Sequence, residues 1–141
     1  MSQLGVQLAA SAGLVCLMAL IHAIGVIGIT KMLGLEDRSL RAHRVDFSAL
    51  VLLVSMALCL FAVHLIEIGL FAAFYMMVGA IEGLEPALFF STSAYTTLGT
   101  IESALSDEWR LVGAIEGLVG FLLIGWSTGV FITDMHKLLR E

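Results

Sequence analysis

Three long apolar runs separated by short polar segments set the frame of the chain. They cover about residues 6–30, 47–70 and 111–132. A bilayer-crossing helix needs about 20 mostly apolar residues, so each run is long enough to span. The 71–109 segment between the second and third has a different texture. Its middle, PALFFSTSAYTTLG (86–99), is too apolar for a plain solvated loop and too short to cross. Leu84-Glu85-Pro86 reads as a helix start: a carboxylate favours the positive dipole end, and proline is tolerated at the first helical position. Non-helical backbone at membrane depth survives only when buried in protein or lining water. A short helix that dips in, turns at Gly99 and returns meets that constraint, so the 71–109 segment is expected to be re-entrant.

Charge fixes an expected orientation. Lys31, Arg38, Arg41 and Arg44 fall in the 31–46 loop, and Lys137 and Arg140 in the tail, leaving Arg110 as the seventh basic residue on the other side. Cytoplasmic loops carry the excess of Lys and Arg. The loop and C-terminus are therefore expected inside the cell membrane and the N-terminus outside, with Glu82, Glu85, Glu102, Asp107 and Glu108 on the outer face.

Composition agrees. The 141 residues are 60% hydrophobic and 13% charged, against about a quarter charged in soluble domains. This excludes an ordinary soluble domain and predicts an all-α, multi-pass membrane protein. The first run lacks a basic leading region and is too long for a signal peptide, so it is expected to be retained. Cys16 and Cys59 each sit inside an apolar run, with no CxxC, HExxH or Cys/His cluster, and read as inert thiols. No nucleophile–base or metal constellation suggests an enzyme. The hexapeptide GAIEGL occurs at 79–84 and 113–118, but its flanks do not extend the match, so coincidence or similar small-residue packing is expected.

Several residues stand out against the apolar background. His64 and Glu67, three apart, share a helix face near the expected outer end of the second run. They read as a packing hydrogen bond or as a titrating pair. Glu116 would be costly facing lipid and is expected to pair with a hydroxyl such as that of Thr96 or Tyr95; a cation site is the alternative. Gly113, Gly117, Gly120, Gly125 and Gly129 thread the third run. Small residues permit close helix approach, and Gly120 or Gly125 could equally be a bend. Trp126 lies well inside the span and is expected to pack between subunits. His22 reads as a histidine satisfied against a neighbouring helix.

These ordered motifs resemble a family. PALFFSTSAYTTLG resembles the pore helix and filter of tetrameric potassium channels, where a helix leads into T-T-V-G-Y-G-D. EWRLVGAIEGLVGFLLIGWSTGVF (108–131) resembles the inner helix of small bacterial channels of the ion-channel-two family. There T-T-L-G-Y-G-D is followed by E-W-R and G-W-S-T, and HLIE (64–67) resembles the end of their outer helix. The resemblance covers about residues 47–133. It implies an extra helix and cytoplasmic loop over 1–46 and a pore domain over 47–141. Three transmembrane helices, a re-entrant pore helix and a filter loop would assemble as a homotetramer in membrane lipid. A chain of this size cannot enclose a pore alone, so transport would in any case require oligomers. No cofactor is expected beyond permeant K+ or Na+, and no nucleic acid or small-molecule substrate.

By this resemblance the ion-binding run is Thr96, Thr97, Leu98, Gly99 and Thr100, with the cation held at Thr97, Leu98 and Gly99. Carbonyl oxygens there replace an ion's hydration shell. Tyr95 and Glu116 would back the filter, and Glu102 would supply an acidic ring at the mouth. The chain departs from the family pattern where Y-G-D is replaced by Thr100, Ile101 and Glu102. Left-handed backbone on a non-glycine residue costs about 1–2 kcal/mol, and a β-branched residue there is an outlier. The outer filter is thus expected to lose the potassium-channel conformation while 97–99 keeps it. Fewer oxygen rings imply a cation channel weakly selective for K+ over Na+. A strictly selective channel and a non-conducting regulatory relative are the alternatives.

Overall fold

A computed structural model describes residues 2–34, 47–99 and 105–139, with side chains through 136. Among the described residues there are four α-helices, α1 (Gln3–Met32), α2 (Phe47–Met77), α3 (Leu84–Tyr95) and α4 (Arg110–Leu139), the last entered through a 3-10 turn at Asp107–Trp109. Three of them, α1, α2 and α4, are long and apolar enough to cross a membrane, which fits a multi-pass membrane protein. The only proline is Pro86, so nothing in the long runs breaks the i→i−4 ladder.

Each long helix outlasts its apolar run. Hydropathy marks the part that avoids water, whereas backbone hydrogen bonding continues into polar residues at the ends. Ser2 caps α1 by accepting from the Gly5 amide at 3.3 Å. In α2 the extension to Met77 leaves Glu67 ten residues from the end, about 15 Å along the axis. The His64–Glu67 pair is therefore deep in the helix rather than near its outer end.

Helix α3 begins at Leu84 as expected, with Glu85 in its first turn. Pro86 occupies the third helical position rather than the first; its missing N–H costs nothing there, because the first four amides have no intrahelical acceptor. The path of α3 is fixed by its contacts. The Phe90 ring lies 5.2 Å from that of Tyr75, Ser91 meets the Ile68 carbonyl, and Tyr95 meets Glu67. Successive α3 residues thus meet earlier and earlier α2 residues, so the helix runs back alongside α2. Against α4 it runs parallel: Gly113 faces Phe90, Gly117 faces Ala94 and Gly120 faces Tyr95.

One buried cluster ties α3 to its neighbours through Met18, Phe71, Ala72, Ala87, Phe90, Val112 and Val119. A second, formed by Val26, Ile29, Met56, Leu60 and Val63, joins the far halves of α1 and α2. Helix α1 packs on its own chain's α2 and α4, and Gln7 Oε1 accepts from the Leu111 amide at 3.0 Å. The two GAIEGL copies differ outright. At 79–84 the hexapeptide is mostly turn, with positive φ at Gly79 and Gly83, whereas at 113–118 it is helix. The same six residues serve different neighbours, as expected of a coincidence.

Candidate functional site

The foot of α3 is where the polar run ends. Thr96 closes the helix: its amide donates to the Thr92 carbonyl at 3.0 Å and its hydroxyl to the same oxygen at 2.7 Å. The Thr97 amide then donates to the Ala94 carbonyl and the Leu98 amide to that of Ser93, each at 3.0 Å. This pair of bonds is a Schellman C-cap, whose left-handed residue is usually glycine. Here it is Thr97, at φ 58°, the one non-glycine residue with positive φ among those described. Gly99 follows at φ 101°. Strain was expected further on, at Ile101; Thr100, Ile101 and Glu102 lie outside the described residues, as do Arg38, Arg41, Arg44 and Arg140. Thr96, Thr97, Leu98 and Gly99 are all exposed, Leu98 by 82%.

Two buried carboxylates clasp α3 from opposite sides. Glu67 of α2 accepts from the Tyr95 hydroxyl, from His22 Nδ1 at 3.0 Å and from His64 Nδ1 at 3.1 Å. His64 Nδ1 also lies 2.8 Å from the Tyr95 hydroxyl oxygen. With its proton on Nδ1, a neutral His22 leaves Nε2 to accept from Ser127 Oγ at 3.2 Å. Glu67 and His22 are fully buried. This one network therefore joins α1, α2, α3 and α4, and the Trp126 ring closes on His22 at 5.2 Å. His22 is satisfied against its neighbouring helices, as expected.

Glu116 of α4 forms the second clasp, and here the expected partners are wrong. It accepts from Tyr75 at 2.6 Å and from Ser91, not from Thr96 or Tyr95. The register explains the difference. With Gly113 opposite Phe90 and Gly120 opposite Tyr95, Glu116 stands level with Ser91, one turn above Tyr95. Tyr95 turns its hydroxyl to Glu67 instead. Tyr75, Ser91 and Ser127 are not among the residues the sequence singles out; the signal it offers is that each is a hydrogen-bonding side chain with apolar neighbours, where an unpaired polar group is costly.

The glycines of α4 divide in two. A Cβ at Gly120 would stand 2.1 Å from the Tyr95 carbonyl oxygen, whereas at Gly125 and Gly129 it would meet nothing within 4 Å. Beside the α3 foot, Phe61, His64, Tyr95, Thr96, Ile124 and Thr128 border an open groove of about 420 Å³. Comparisons with family models, curated proteins and solved structures find no match for this chain.

Proposed function

We propose that four copies of the chain form a cation channel in the cell membrane, with the N-terminus outside and the C-terminus cytoplasmic. In this reading α3 is the re-entrant pore helix and Thr97, Leu98 and Gly99 of each copy supply the filter oxygens. The observation that carries it is the foot of α3: non-helical, exposed backbone at 96–99, alongside the Glu67 level of α2. The amides of 96–98 are already paired within the chain, but if α2 and α4 span a bilayer the carbonyls of this segment are at membrane depth, where lipid cannot satisfy them. Further copies around a wet axis can.

Three further points support the reading. The C-terminal end of α3 carries the negative pole of its dipole, which favours a cation beyond Thr96. A simple helix cap would favour glycine over a β-branched residue at Thr97, and strain kept at such a cost is typical of working sites. The resemblance of 86–99 to a pore helix and filter points the same way. With Ile101 in place of the second glycine the filter is short, so K+ and Na+ both pass.

Flux into protein-loaded liposomes tests this. Thr97→Gly should relieve the backbone, leaving the fold as stable or about 1 kcal/mol more so. Loss of the hydroxyl should nevertheless lower K+ flux on the order of tenfold. Thr97→Ser should conduct like the parent. Equal flux through the parent and Thr97→Gly would remove Thr97 from the pathway.

A further inference from the structure

The buried network around Glu67 has the makings of a metal site. One imidazole nitrogen from each of His22 and His64 and a Glu67 carboxylate oxygen lie within 4.8 Å of one another. His64 and Glu67 are one turn apart on α2, but His22 comes from α1, 45 residues from Glu67 in sequence, so local spacing does not account for its joining them. A tetrahedral zinc ion with bonds of about 2.0–2.2 Å holds its ligand atoms roughly 3.4 Å apart. His22 Nδ1 stands 3.0 Å from Oε1 and His64 Nδ1 3.1 Å from Oε2 of the one carboxylate, separations close to that value, so an ion between them requires the carboxylate to turn as well as the imidazoles to adjust.

From this geometry we propose that His22, His64 and Glu67 bind a divalent first-row transition metal such as zinc. The donor set of two imidazoles and one carboxylate suits such ions, whereas Mg2+ and Ca2+ take oxygen ligands. The charge also fits: the Glu67 partners are two imidazoles and a phenol, none with a fixed positive charge, and a buried carboxylate is most stable when paired or metal-bound. Coordination through Nδ1 puts the His22 proton on Nε2, 3.2 Å from Ser127 Oγ, which then accepts. Ligating histidines regularly donate their other N–H in this way. His64 is 15% exposed and borders the groove, so the cluster is open on one side, where the Tyr95 hydroxyl lies 2.8 Å from His64 Nδ1. The site does not depend on whether the protein conducts ions.

Titration of the purified, chelator-treated protein with Zn2+ against a chromophoric chelator, and with Co2+ by visible absorption, tests the proposal. One ion per chain is expected, with Co2+ giving the intense visible bands of a tetrahedral site. His22→Asn and His64→Asn keep an N–H donor near the Nδ1 position and remove the ligand. Each should weaken Zn2+ binding at least 100-fold while circular dichroism and elution volume match the parent. Ser127→Ala, which leaves every ligand in place, should weaken it on the order of 10-fold. His136→Asn, on the exposed end of α4, should change nothing. Absence of stoichiometric binding would overturn the site. So would binding that survives both His22→Asn and His64→Asn, or that disappears with His136→Asn.

Discussion

Gly120→Ala is expected to unseat α3 from α4 and to be the most damaging single-methyl change in the protein. The added carbon would stand 2.1 Å from the Tyr95 carbonyl oxygen and 2.8 Å from both its carbonyl carbon and its ring. Two of those atoms are backbone, so no side-chain rotation can make room. Overpacking of this kind costs about 1–3 kcal/mol, occasionally more, and a backbone clash belongs at the upper end. Gly125→Ala is the control: its methyl enters open space, and alanine is the better helix former by about 1 kcal/mol. Unfolding in mixed micelles should therefore show Gly120→Ala destabilised by roughly 3 kcal/mol or more and Gly125→Ala unchanged or stabilised. Equal stabilities would mean that α3 does not pack on α4 as described. The pair also separates packing from bending. Under the proposed channel function, a gating change in Gly125→Ala at parental stability would mark Gly125 as the bend, whereas Gly120 has a packing duty that confounds the same test.

Glu67→Ala is expected to have the second largest effect. It strips a partner from Tyr95, His22 and His64 at once, all within the membrane-crossing part of the helices. Interhelical hydrogen bonds in membranes average about 0.6 kcal/mol and reach about 1.7. Three of them, together with the cavity left by the side chain, amount to roughly 2–4 kcal/mol. Glu67→Gln keeps the volume and one acceptor and should lose roughly 1 kcal/mol. Both can be read by the same unfolding measurement, and Glu67→Ala should also loosen the foot of α3, exposing its amides to faster hydrogen exchange. Parental stability in Glu67→Ala would show that the carboxylate does not hold these helices together.

Much of this fold was legible in the residues, for reasons specific to membranes. With no water to satisfy the backbone, each spanning segment must be a helix, and length and hydropathy alone identify α1, α2 and α4. The start of α3 was legible because Glu85 and Pro86 have few other uses side by side. What was not legible was rotation and register. An apolar helix facing apolar lipid carries little amphipathic contrast, so its inward face has to be inferred from scattered polar residues. His64 and Glu67 could be paired because three residues along one helix is a fixed geometry. The partner of Glu116 could not, because it depends on how far α4 slides along α3, and the glycines that set that slide permit several registers. The link from His22 to Glu67 was hidden for the same reason, since the two residues lie on different helices, 45 residues apart in sequence. The left-handed backbone at Thr97 was not legible either, because it follows from where α3 ends, and the residue a helix C-cap places there is usually glycine.

The most direct check on the proposed channel is an experimental density map of the purified protein in potassium chloride. The account predicts four copies around one axis, with Thr97, Leu98 and Gly99 carbonyls facing axial density spaced as successive ion sites. A monomer or twofold assembly, or Thr97 carbonyls turned into the protein away from any shared axis, would contradict it.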